Sequence, residues 1–376
     1  MKKGYIEGYY GRLLSQQGRQ MIINELNNLS MDFYIYGPKE DPFHRIKWNK
    51  DYPLEQMDEF EQLIGLANSN QVKFYFAISP GLSIEASSKR DIELLKKKLL
   101  GLINLGCKNF ALFMDDLEFS QLSDINNDND LGKEHGLLAN EIKDFLFMKG
   151  AEDLLFCPTI YCKRFSKGDL YASKYLESLS ITLDKDIPIF WTGNEVVSKE
   201  IHFNDLKELS EIFSNELIIW DNFFANDYCP GRVYLGELTR RELKQGKIQA
   251  LGLNPTGLPN VDSLILNRLS EGKTTEDIFE KFLIPEAFKK LLPFFDSPFS
   301  EVETEINLKE LREIQHEVCI EWKSPLQVEI APFLWEFYNH LSLLEKYLDE
   351  EENALEEWAK RRYSSPLLEI IRNRKN

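Results

Sequence analysis

Short apolar runs rich in β-branched and aromatic residues recur along the first two thirds of the chain, and each is followed by a longer stretch of helical period. GYIEGYYG (4–11), MDFYIYGPK (31–39), VKFYFAISPG (72–81), NFALFMDD (109–116), LLFCPTIYC (154–162), IPIFWTG (187–193), ELIIWDN (216–222) and KIQALGLNP (247–255) predict eight strands. They start 27 to 45 residues apart, the length of a strand plus a crossover helix. Several are continuous rather than alternating, as expected of strands covered on both faces. Between them, apolar residues fall three and four apart, as Ile92, Leu95, Leu99, Leu102 and Ile103 do among lysines.

Eight such units predict an α/β fold, a (β/α)8 TIM barrel over residues 1–271. Nearly every run closes on polar or unusual groups: Glu7-Gly8, Lys39-Glu40-Asp41, Ser79-Pro80-Gly81, Asp115-Asp116, Tyr161, Thr192-Gly193, Asp221-Asn222 and Asn254. In a barrel those ends meet on one rim, where catalytic groups sit. An open sheet would gather only a few of them at its switch point. After residue 272 the strand signal stops. Ile330, Phe333, Leu334, Phe337, Tyr338, Leu341 and Leu344 form a helical stripe, which predicts a C-terminal α-helical domain over 272–376, packed on the barrel or on another subunit.

Composition narrows the partners. With 43% apolar and 12% aromatic residues the 376-residue chain is far from the disordered regime. Its formal charge of −17 repels phosphate backbones and anionic surfaces, so neither nucleic acid nor a membrane is expected as partner. No apolar run is long enough for a secretory signal or a membrane span, and five scattered cysteines fit reduced thiols, so the expected location is cytoplasmic. No HExxH or paired CxxC supports a metal site, and no GxGxxG or GxxxxGK[ST] supports a phosphate cradle; neither metal nor cofactor is expected.

The strongest chemical candidate is Asp115-Asp116, two adjacent carboxylates after FALFM. Glycoside hydrolysis needs one acid to protonate the leaving oxygen and another group ionised against positive charge at the sugar carbon. The alternative is a solvated strand end that caps the next helix. WDNFFANDYCPGR (220–232) offers flat apolar surface and bidentate polar groups suited to sugars, or else an Asn/Asp-rich turn. GYIEGYYGR (4–12) brings glycines beside Tyr9 and Tyr10, for close backbone approach to a ligand or for barrel closure. Three signals are weaker. DINNDNDLGKEH (124–135) imitates a calcium loop but reads better as a solvated loop. Cys157 and Cys162 read as buried inert thiols, and His44-Arg45 either orients an anion or forms a structural ion pair.

IEGYYGR, YIYGPKEDPFHR with Trp48, FAISPGL, FALFMDDLE, FCPTIYC, WTGNEVVSKEI, WDNFFANDY and the Asn-Pro of GLNPTG together resemble glycoside hydrolase family 84, the O-GlcNAcase-like β-N-acetylglucosaminidases, from residue 4 to about 270. The resemblance implies a (β/α)8 barrel and a retaining hydrolysis of terminal β-linked GlcNAc, extending to GlcNAc on Ser/Thr of glycoproteins. The nucleophile is the substrate's own 2-acetamido group, through an oxazoline. Asp115 is then the group that polarises the acetamido N–H, and Asp116 the general acid and base, its pKa expected to be raised by ionised Asp115. By the same resemblance Tyr161 and Asn222 contact the acetamido oxygen and Trp220 walls its methyl pocket. Gly8, Lys39, Asp227 and Asn254 bind the sugar hydroxyls, with Tyr10 as a further neighbour. GYYGR stands for the usual GFYGR, and Asn194-Glu195 replaces a Pro-Lys pair common in animal members, on the aglycone side. Related enzymes pair through helical stalks, which implies a homodimer through the C-terminal helices. Two competing readings are a catalytically silent carbohydrate-binding barrel and an interaction protein working through its helical tail.

Overall fold

In the computed structural model, which describes residues 1–117, 125–243, 247–270, 272–300 and 307–348, all eight expected strands are present, each shorter than its apolar run. They are β1 (Lys2–Glu7), β2 (Phe33–Tyr36), β3 (Lys73–Ile78), β4 (Asn109–Phe113), β5 (Asp153–Cys157), β6 (Ile189–Trp191), β7 (Leu217–Asp221) and β8 (Ile248–Leu253). Each pairs in parallel with its sequence neighbours, and β1 pairs with β8, Gly4 opposite Gly252, to close the barrel. Most of the polar groups expected at strand ends lie just beyond them, whereas Glu7 and Asp221 are the last residues of β1 and β7.

Every second strand residue points inward: Ile6, Phe33, Ile35, Tyr75, Ala77, Ala111, Phe113, Leu155, Cys157, Phe190, Ile218, Trp220 and Ala250 fill the barrel. The intervening residues, such as Tyr34, Phe74, Phe76, Leu112 and Phe156, belong to a second cluster shared with the helices. Both faces are therefore dry, which is why the runs do not alternate. The helix Lys89–Asn104 shows how the helices fit: Ser88 accepts from Asp91 N at 3.3 Å, and Ile92, Leu95, Leu99 and Leu102 face the core. Lys98, on the same helix, is buried too, and its ammonium donates to the carbonyls of Phe43, Trp48 and Lys50 at 2.6, 3.0 and 2.8 Å. It thereby anchors the rim loop after β2.

Beyond the barrel, helices run over Thr275–Lys281, Leu308–Glu321 and Pro325–Leu348. The last supplies what the helix Pro259–Leu269 lacks, a side-chain cap: Glu329 accepts from Asn260 N at 2.8 Å and Val261 N at 3.0 Å. Of the expected stripe, Ile330, Phe333, Leu334 and Leu341 are buried, whereas Leu344 is exposed. A two-residue parallel ribbon, Ile201–His202 with Arg241–Glu242, has no counterpart in the sequence reading. Residues 349–376 of the expected helical domain, Glu118 of the FALFMDDLE motif and Asp124 lie outside the described residues. Among the described residues no helix is long and apolar enough to cross a membrane.

Candidate active site

Consecutive strand residues point to opposite faces, so two adjacent aspartates share a site only if the chain turns between them. It does: β4 ends at Phe113, Met114 N still donates to Cys157 O at 2.9 Å, and Asp116 adopts a left-handed φ of +49°. That conformation is unfavourable for a residue with a Cβ, and it swings the second carboxylate back beside the first. Lys39, carried just past β2 and almost fully buried, ties the two together. Its ammonium bonds Asp115 Oδ2 directly and lies 3.8 Å from Asp116 Oδ2. Burial opposes the charge on Lys39, but the two carboxylates outweigh it and hold the ammonium above its ordinary range. Ser79 Oγ stands 3.5 Å from Asp115 Oδ1.

Asp116 has three further polar contacts. Tyr161 donates to Oδ1 at 2.6 Å and Tyr10 to Oδ2 at 2.7 Å. Arg45 donates both to the Tyr10 hydroxyl and, at 2.6 Å, to the backbone carbonyl of Asp116. Burial alone would raise the Asp116 pKa, but Lys39, the two tyrosine hydroxyls and Arg45 hold it below its ordinary 3.8. This corrects the expectation of a raised value. Lys39 absorbs the charge of Asp115 that was to have kept Asp116 protonated.

Trp220, the inward residue near the end of β7, also lines the cavity, its ring centroid 5.2 Å from Phe113 and 5.5 Å from Phe190. Its indole donates to Asn222 Oδ1 at 2.9 Å, which also accepts from Asn254 Nδ2 at 2.8 Å. Asn254 Oδ1 accepts from Gly8 N at 3.0 Å, and Asn222 Nδ2 donates to Val196 O at 2.8 Å. One amide hydrogen on each asparagine has no bond to the described residues and is available to a ligand. Asp227, at the rim, accepts from Tyr10 N at 3.0 Å and Tyr228 N at 2.9 Å.

All nine residues singled out from the sequence, Gly8, Lys39, Asp115, Asp116, Tyr161, Trp220, Asn222, Asp227 and Asn254, line one open cavity of about 580 Å³, a size typical of small-ligand sites. Tyr10 lines it too. The direct role of Arg45 escaped the sequence, because neither of its partners lies near it in the chain. Among the described residues His44 forms no ion pair: it is buried, its Nδ1 is 2.9 Å from Ala77 O, and burial, followed by Lys39, lowers its pKa to about 3. Cys157 lines the cavity with a thiol pushed up by burial. Asp128 of the calcium-like segment caps a helix, accepting from Leu131 N at 2.8 Å. Among the described residues no group of three or more His, Cys, Asp or Glu is placed to hold a metal.

Comparison with known proteins places this cavity in context. A family model described as NAGidase, beta-N-acetylglucosaminidase, matches residues 3–276. Protein O-GlcNAcase of Mus musculus is 35% identical over 234 residues, covering 62% of this chain and 25% of the relative, and the Rattus norvegicus protein matches to the same extent. The chain thus spans about a quarter of the length of these relatives. A solved structure described as CpGH84B superposes over 99% of this chain and 73% of its own, with a TM-score of 0.73 at 23% identity, a likeness of fold.

Proposed function

Because the chain belongs to the β-N-acetylglucosaminidase family, we propose that it hydrolyses terminal β-linked GlcNAc with retention of configuration, using the substrate's acetamido group as nucleophile. The observation that carries this reading is the left-handed turn at Asp116, beside which two adjacent carboxylates line the cavity that Trp220 also lines. In the first step the acetamido oxygen attacks C1 and the C1–O bond to the aglycone breaks. Asp116 gives its proton to the departing oxygen, and Asp115 holds the acetamido N–H. In the second step Asp116 takes a proton from water as that water opens the oxazoline, restoring acetamide and the β configuration. No carboxylate bonds to carbon, unlike the usual two-carboxylate scheme. Trp220 walls the methyl group, Tyr161 and Asn222 reach the acetamido oxygen, and Gly8, Lys39, Asp227 and Asn254 hold the hydroxyls.

With its pKa held down, Asp116 is ionised in the empty site at neutral pH, so its part as general acid requires that it take up a proton when sugar replaces solvent around the carboxylate. The substrate class is GlcNAc on Ser/Thr of proteins. Supporting this are the relatives' activity as protein O-GlcNAcases and the −17 charge, which disfavours polyanionic glycans. Five unpaired cysteines support a reducing, cytoplasmic setting. Residues 1–271 form the catalytic barrel and 272–376 a helical domain that pairs two copies, testable by sedimentation of the full chain.

The test of the reaction is release of 4-nitrophenol from its β-GlcNAc glycoside by the wild type, Asp115→Ala and Asp116→Ala. Loss of turnover in both variants is expected. Unchanged turnover in Asp116→Ala would remove the acid/base assignment, and an inactive wild type would favour a binding barrel. Fluorination of the substrate's acyl group should slow the reaction progressively; a flat series would exclude acetamido participation.

A further inference from the structure

We propose that Arg45, which does not line the cavity, is a positioning residue that aims the proton of Asp116 at the leaving group. This inference rests on Asp116 being the general acid. The guanidinium closes a ring of contacts: one nitrogen donates to the Tyr10 hydroxyl, the other at 2.6 Å to the Asp116 carbonyl, and Tyr10 donates back to Asp116 Oδ2 at 2.7 Å. Each contact removes one freedom. A hydroxyl that already accepts from Arg45 points its own hydrogen at the carboxylate. A carbonyl held by a cation keeps the peptide after Asp116 in the orientation that goes with the strained φ of +49°.

Arg45 is itself held from outside the site. It is 8% exposed, and its loop is anchored by Lys98 through the Phe43, Trp48 and Lys50 carbonyls and by Ser79 N on His44 O at 2.9 Å. Without the guanidinium, nothing else among the described contacts joins the Tyr10 hydroxyl to the backbone of Asp116. A lysine here would keep the charge but lacks the planar fork that reaches two acceptors at once.

The test uses the full chain and two aryl β-GlcNAc glycosides, one with a poor leaving group (4-methoxyphenyl) and one that departs without protonation (2,4-dinitrophenyl). Arg45→Met and Arg45→Lys are each expected to lower kcat/KM on the poor substrate by about 10- to 100-fold, while the activated substrate stays within about threefold of wild type. Loss of the cation should also move the basic limb of the pH profile upward in Arg45→Met, and much less in Arg45→Lys. Equal losses on both substrates, or no loss on either, overturn the inference, since a merely structural role cannot distinguish leaving groups. Asp116→Ala measured alongside separates the two failures. If it cleaves the poor substrate like wild type, the acid assignment is what fails.

Discussion

Gly8 packs against the indole of Trp220 so closely that a Cβ at position 8 would sit 2.3 Å from Cζ2 and 2.7 Å from Cη2 of that ring. The indole cannot step aside freely, because Phe113 and Phe190 flank it and Asn222 accepts its N–H. Gly8→Ala should therefore cost about 1–3 kcal/mol of stability. The displaced wall should lower kcat/KM by about 10- to 100-fold. Urea unfolding and steady-state kinetics check the two effects separately; wild-type kinetics in a folded variant would remove Trp220 from the pocket wall.

The low pKa of free Asp116 predicts a split between two pH profiles. The protonated acid is required, so rate falls as pH rises through its pKa. The profile of kcat/KM reports the free enzyme, where Lys39, Tyr161, Tyr10 and Arg45 hold that pKa down against burial, and kcat reports the complex. The basic limb should thus lie at higher pH in kcat than in kcat/KM. Coincident limbs would mean that sugar binding leaves the carboxyl unchanged.

Stability should carry the same signature. A carboxyl with a depressed folded pKa stabilises the fold above its unfolded value, near 3.8, and that contribution is lost as pH falls through the lower folded value. The stability difference between wild type and Asp116→Asn should be constant from pH 7 to about 5 and shrink below 4. Urea titrations across that range test it, and a difference that grows on acidification would reverse the sign assigned here.

Arg241 and Asp221 form a nearly dry, two-pronged pair at 2.7 and 3.0 Å, and the same guanidinium donates to the Ser198 and Lys199 carbonyls. Arg241→Met would strand a buried carboxylate, at a cost of about 3–5 kcal/mol. It would also loosen the 194–199 loop, whose Val196 carbonyl holds Asn222. Calorimetry should show the lost stability, and KM should rise more than kcat falls.

Strand number, closure of the barrel and much of the cavity's polar lining were legible in the chain, because a barrel buries both faces of each strand and delivers every strand end to one rim. The apolar runs mark the first, and the polar residues that close them mark the second. Seven of the nine site residues, Gly8, Lys39, Asp115, Asp116, Tyr161, Asn222 and Asn254, belong to those ends and meet at the cavity; Trp220 and Asp227 were named through the family resemblance. What only the tertiary structure decided is electrostatic and conformational. That Asp116 turns left-handed, that Lys39 neutralises Asp115 and that Arg45 reaches Tyr10 and the Asp116 carbonyl all depend on groups 35 to 76 positions apart. Proximity in sequence suggested that Asp115 would raise the pKa of Asp116; proximity in space, with a buried ammonium between them, reverses it. A pKa is set by all charges within a few ångströms, and the chain's order does not list them.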